Sequence, residues 1–217
     1  MSAREDLLAV GERLFALHGV DGVSLRQVGA AAGQRNVAAA QYHFGDRQGL
    51  IRAIFEFRLP PIDARRREML ARVREEGRAA DVRALTEVLV FPLAEQAKTP
   101  GSHYVRFLNR MCDHEGLRVL PLSDVGPIDT AVEAGEMLGE LLRDRLGTAG
   151  ELRGEFAGRL IITCIADLEH RLAVGSADAP DPDAYTDSVV DAVVAMLTGP
   201  VLQVRNGPGG GRGDERR

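Results

Sequence analysis

A chain of 217 residues with 45% hydrophobic content can bury one large core or two modest ones. Its formal net charge of -5 excludes a protein that is basic all over, but leaves room for a local face that meets nucleic acid. Cys112 and Cys164 are too few and too isolated for a disulfide framework or a structural zinc site, and read as buried small hydrophobes.

Strand signals are nearly absent, since no period-two alternation or Asn-Gly hairpin occurs, so the expected fold is all-α. The first helix is expected from about Arg4 to His18, with Leu7, Leu14, Phe15 and His18 on one stripe and Gly19 as its C-terminal cap. Ser24 followed by Gln27 is a capping-box pattern that opens a second helix, Leu25 to Ala32, closed by Gly33. Gly33, Gln34 and Arg35 form a short turn; Asn36 then caps a third helix reaching about His43. Asp46 caps a fourth, which Pro60 and Pro61 are expected to stop near Phe57. Two short helices across a glycine-containing turn make a helix-turn-helix.

Longer helices follow at Ile62 to Gly77, Val82 to Ala97 with Pro92 inside, His103 to His114, Pro127 to Leu146, Leu152 to Val174 and Pro182 to Leu197. The expected organisation is a first domain over 1–46, a larger helical domain over 47–202 and a disordered glycine-rich tail over 203–217. Arg212, Gly213 and Asp214 in that tail spell an adhesion tripeptide, which is read as chance. The first twenty residues carry Arg4, Glu5, Asp6, Glu12 and Arg13, unlike a signal peptide, and the longest largely apolar run, Leu160 to Ala166, is far short of a membrane span. A cytoplasmic protein is expected.

The third helix carries the functional signal. A helix entering a major groove presents small or polar residues; Val37, Ala38, Ala39 and Ala40 are small, while Arg35, Asn36, Gln41 and His43 can hydrogen-bond. Phe44 packs behind it. Nearly all positive charge is arginine, because Lys98 is the sole lysine, and guanidinium suits phosphate, although GC-rich coding explains the bias equally well.

Leu7 to Leu50 resembles the N-terminal domain of the TetR family of regulators, through Phe15, Gly19, Ser24, Ala31, Ala32, Gly33, Tyr42, His43, Phe44, Gly45, Asp46, Arg47 and Leu50. The resemblance implies a three-helix, homeodomain-like helix-turn-helix DNA-binding domain followed by a larger helical ligand-binding and dimerisation domain. It implies that residues 36–43 enter the major groove, with Tyr42, His43 and Arg47 near phosphates, Arg26 meeting the backbone from the second helix, Gln41 at a position that touches the backbone, and Arg35, Asn36 and Ala39 toward base edges. In two places the chain departs from the family pattern: the stretch from Gly33 to His43 is one residue longer, and Gln41 stands where a tyrosine usually sits. Repression of a palindromic operator, relieved by a small-molecule effector, is the default role that the resemblance implies.

Two late helices carry more apolar surface than one core needs. Ile161, Ile165 and Leu168 on one, with Val189, Val190, Val193, Val194 and Leu197 on the other, are the expected homodimer interface, pairing two reading helices about 34 Å apart or somewhat more. Candidate effector-binding residues are Phe91, His103, Tyr104, Phe107, Arg110, Met111 and His114, where apolar and polar groups mix. An enzyme reading would need His103, Cys112, Asp113, His114 and Glu115 to form a cluster, but their spacing is poor for metal, and no phosphate loop or nucleophile elbow occurs. No catalytic residue, metal or cofactor is therefore expected. A protein-docking module on the same fold is the remaining alternative.

Overall fold

The computed structural model describes residues 2–34, 36, 38–112, 128–175 and 180–200, and among these every regular element is helical. The elements are α1 (Ala3–His18), α2 (Leu25–Ala31), α3 (Ala39–Phe44), α4 (Arg47–Glu75), α5 (Val82–Ala97), α6 (Tyr104–Cys112), α7 (Asp129–Leu146), α8 (Thr148–Val174) and α9 (Pro182–Thr198). The expected tail and the Arg212–Asp214 tripeptide lie outside the described residues.

The head is built from α1 to α3 and the start of α4. Both early helices open on reciprocal capping boxes, Ser2 with Glu5 and Ser24 with Gln27, each satisfying backbone donors that a helix start leaves orphaned. Leu7, Phe15, Val28, Ala40 and Phe44 form the head's interior with Leu50 of α4, whereas His18, expected on the same stripe, is exposed.

α4 overturns one expectation. It runs unbroken through Pro60 and Pro61 from the head into the body, joining the two helices expected as Asp46 to Phe57 and Ile62 to Gly77. Both prolines are exposed, as are Glu56 and Phe57, whose carbonyls lose their helical donors, so water can take those bonds. On the opposite face Leu59, Ile62, Asp63 and Arg66 are buried and hold the helix against the body.

The body is organised around α5, which touches α4, α6, α7, α8 and α9 and buries Ala84, Leu85, Val88, Val90 and Ala94. A helix surrounded by neighbours is apolar on most sides, as α5 is. Head and body share more than α4. Glu12 of α1, 2% exposed, accepts from Arg58 Nε at 2.7 Å and Nη2 at 3.2 Å, and from the His103 backbone N–H at 2.9 Å. Phe15 stacks on Phe107 of α6, with ring centroids 6.0 Å apart. From the far side, buried Glu169 of α8 accepts from Ser102 Oγ, Val105 N–H and Arg106 N–H, so two carboxylates from different elements hold the start of α6. Burial pushes the Glu169 carboxyl above the ordinary carboxylate range, and those donated hydrogen bonds only partly offset it.

Candidate nucleic-acid interface

α3 is shorter and starts later than its sequence suggests. Asn36 does not cap the helix directly: its Oδ1 accepts from the Ala38 N–H at 3.0 Å and its carbonyl from the Ala39 N–H, a side-chain turn that leads into the helix. Ala38 is the N-cap and supplies no side-chain bond. The connection from α2 thus spans 32–38, not the three or four residues expected, and the extra length is taken up ahead of α3. Arg35 lies outside the described residues.

Gln41, Tyr42 and His43 form one exposed ridge. Tyr42 is 86% exposed, with no apolar cover beyond its edge contact to the His43 ring at 5.4 Å. An aromatic side chain left in water at that level, between two hydrogen-bonding neighbours, is not a core residue. Phe44 is buried behind the ridge, as expected, and the Arg4 guanidinium covers its ring at 5.6 Å. Arg26 and Asn36 are exposed and Ala39 half-buried. Arg47 is partly engaged within the protein: its Nη1 meets Asp21 Oδ1 at 3.4 Å and its Nη2 the Asp21 carbonyl at 3.5 Å, pinning the α1–α2 turn to α4, while 41% of the side chain stays accessible.

What fixes the ridge is a residue that the sequence reading passed over. A Cβ built on Gly49 would sit 1.9 Å from the Phe44 carbonyl oxygen, so α4 can pack on the end of α3 only with glycine there. Asp46 caps α4 by accepting from the Gly49 N–H at 2.8 Å, and Gly45, at φ +75°, turns the chain between the two helices.

This geometry has a known counterpart. Residues 7–54 match the model of the N-terminal domain of bacterial regulatory proteins of the tetR family. Residues 7–54 thus form the N-terminal domain of the tetR family. The chain is accordingly a DNA-binding regulator, with the helix-turn-helix at α2 and α3. Among solved structures, an alanine-substituted mutant of HlyIIR is 17% identical, with 88% of this chain and 94% of that one covered and a TM-score of 0.54, which agrees with the fold. NalD, the secondary repressor of the MexAB-OprM multidrug efflux pump in Pseudomonas aeruginosa, is 19% identical over 89% of this chain and 96% of that one, at a TM-score of 0.49. A tetR-family transcriptional regulator from Pectobacterium atrosepticum is 23% identical over 93% and 95%, at 0.40. No curated protein sequence matches the chain.

Among the described residues, those expected to bind an effector are divided between the interior of the body and two surface hollows. Tyr104, Phe107 and Met111 are fully buried, and Phe55, Tyr104 and Phe107 pack ring to ring, so all three belong to the body's core. Phe91 is half-buried. His103 lines a hollow with Ala97 to Ser102 and Glu169, and Arg110 lines a separate cleft of about 430 Å³ with Ala16, Arg106, Asp167 and His170. His114 lies outside the described residues, and the cysteines are half-buried, not fully buried. Among the described residues no cluster of His, Cys, Asp and Glu could hold a metal ion, and no helix is long and apolar enough to cross a membrane.

The expected dimer stripe is likewise internal. Ile161, Ile165, Leu168, Val189, Val190, Val193 and Leu197 are all buried within the single chain, and Val194 is half-buried. Helical periodicity located the apolar faces of α8 and α9 correctly, but α5 and α7 cover them. On α8 the exposed apolar side chains, Leu152 and Phe156, lie one stripe over, continued by half-buried Leu160 and Cys164 beside a groove lined by Pro180, Ala184, Tyr185, Ser188 and Ala192.

Proposed function

We propose that the chain is a homodimeric repressor that holds a palindromic operator through α3 and leaves it when a small molecule enters the body. The observation that carries the DNA contact is the exposed Gln41–Tyr42–His43 ridge, backed by Phe44 and locked by the α3–α4 contact at Gly49. In this reading Gln41, with Asn36 and Ala39 just ahead of it, faces base edges, and Arg35 joins them from the turn. Tyr42, His43 and Arg26 meet phosphates, and Arg47 adds a phosphate contact from donors beyond its Asp21 bonds. A salt series tests it: affinity for a fragment from upstream of the gene falls steeply with salt as condensed counterions are released. A flat salt response favours the protein-docking alternative instead.

The dimer is assigned to the uncovered stripe. Leu152 and Phe156 are 49% and 54% exposed, and the small residues Ala184, Ser188 and Ala192 of α9 let a second backbone approach closely. Sedimentation at micromolar concentration gives twice the chain mass for the wild type, and Phe156→Glu, at an exposed site, shifts it to one. A dimer that survives this substitution unweakened places the interface elsewhere.

Effector control is assigned to the interior of the body around α4 and α6, because the head is tied there. Glu12 joins α1 to Arg58 of α4 and to the start of α6, so a ligand that displaces either helix moves the head. Dimer spacing then no longer matches the operator. A coupling of about 1 to 3 kcal/mol suffices for such release.

A further inference from the structure

Among the described residues three buried side-chain atoms lack a hydrogen-bond partner, Arg66 Nε, Tyr104 Oη and Arg106 Nε, and of these Arg106 Nε still lies 3.5 Å from the Glu169 carboxylate. Arg66, on the inner face of α4, is 5% exposed, and its Nε is sealed from water and donates to nothing. Tyr104, at the start of α6, is wholly buried, and its hydroxyl is equally without a partner. Other buried polar groups around them are matched. Glu12 has Arg58, Glu169 has Ser102 and two backbone N–H groups, and Asp63 accepts from the Thr130 N–H, the Thr130 hydroxyl and Arg67. Asp63 stands one helical turn before Arg66 and its field reaches the guanidinium, but its oxygens are engaged with α7 and Arg67.

A buried guanidinium with an unmatched N–H, whose neighbouring carboxylate is engaged elsewhere, is a costly arrangement for a core, and leucine or methionine would fill the same space without that cost. Tyr104 lies within the field of the Arg66 guanidinium and packs against the rings of Phe55 and Phe107. Burial pushes the tyrosine's pKa up, so its hydroxyl stays a neutral donor at physiological pH. Both orphans are thus donors, one of them cationic, beside an aromatic wall. The complement is an oxyanion on an apolar body.

We propose that Arg66 and Tyr104 are the polar anchor of the effector, and that the effector is an apolar carboxylic acid whose carboxylate accepts from the guanidinium fork and the tyrosine hydroxyl. This rests on the effector reading above and goes further by naming the ligand's chemical class. The test is thermal melting of the protein with benzoate, 1-naphthoate and octanoate, each paired with its methyl ester. At least one acid raises the wild-type melting temperature and its ester does not. Arg66→Met melts above the wild type without ligand, because a stranded charge is gone, and no longer responds to the acid. Tyr104→Phe still responds, with affinity about tenfold weaker, as loss of one hydrogen bond predicts.

Three results each overturn the proposal: Arg66→Met melting below the wild type, esters stabilising as well as acids, or no acid shifting the wild type at millimolar concentration. DNA release is measured separately by gel shift. An acid that stabilises through Arg66 yet leaves DNA affinity unchanged upholds this site and refutes release.

Discussion

Replacing Glu12 by alanine should destabilise the protein by about 3 kcal/mol, because it strips a buried cation of its partner. The Glu12 side chain is 3% exposed and that of Arg58 18%, so the pair lies in an environment where solvent screens little. Glu12→Ala leaves Arg58 half desolvated without a counter-charge and also removes the acceptor of the His103 N–H. For a chain of this length that loss corresponds to a fall in melting temperature of roughly 6 to 12 °C. The paired substitution Glu12→Ala with Arg58→Met removes both charges and keeps most of the arginine's apolar stem. It should therefore cost less than the two single changes added together, with a coupling of about 2 kcal/mol. Urea unfolding of the four proteins of the cycle measures this directly. If the two changes add to within about 0.5 kcal/mol, Glu12 and Arg58 act independently, and the account of how the head is tied to α4 and α6 fails.

Gly49→Ala offers a test with opposed signs. Helix propensity alone predicts stabilisation by roughly 1 kcal/mol, whereas the approach to the Phe44 carbonyl predicts a loss of about 3 kcal/mol or more, together with loss of DNA binding; circular-dichroism melting decides between them. Glu169 gives a pH signature. Its carboxyl sits above the ordinary range in the folded protein, so the native state holds the proton more tightly, and the stability this group contributes is present at low pH and lost as pH rises through the raised pKa. The stability of the wild type relative to Glu169→Gln should thus fall as pH climbs from about 4, with a slope no steeper than about 1.4 kcal/mol per unit; a pH-independent difference would show that burial is not what perturbs the carboxyl.

Most of the fold is legible in the sequence because the helices obey local rules. The Ser24–Gln27 box and Pro182 opening α9 sit where helix starts are expected, and α5 begins and ends where its periodicity does. The failures share a cause, which is tertiary context. Two prolines that ought to end a helix are tolerated because they face water while Leu59 and Ile62 anchor the other side. The apolar stripes of α8 and α9 are real, but which stripe stays uncovered depends on where α5 and α7 lie, and periodicity along one helix does not carry that information. Some signal was present and unread. Glu12 falls four residues after Leu8 and four before Ala16, and Glu169 four after Ile165, so both carboxylates are in phase with buried faces. A charge in phase with an apolar stripe marks a buried partner elsewhere in the chain. On α3 the exposure of Gln41, Tyr42 and His43 was legible, but the start of the helix was not, because Asn36 caps the turn instead of the helix.

The central claim is that the ridge on α3 grips duplex DNA. Fluorescence anisotropy on a genomic fragment selected by the wild-type protein, run beside Gln41→Ala/Tyr42→Ala/His43→Ala across a salt series, tests it most directly. The account predicts an unchanged melting temperature, a loss of about a hundredfold or more in affinity and a shallower salt slope for the triple variant. Equal affinity and an equal slope in a folded triple variant would contradict it.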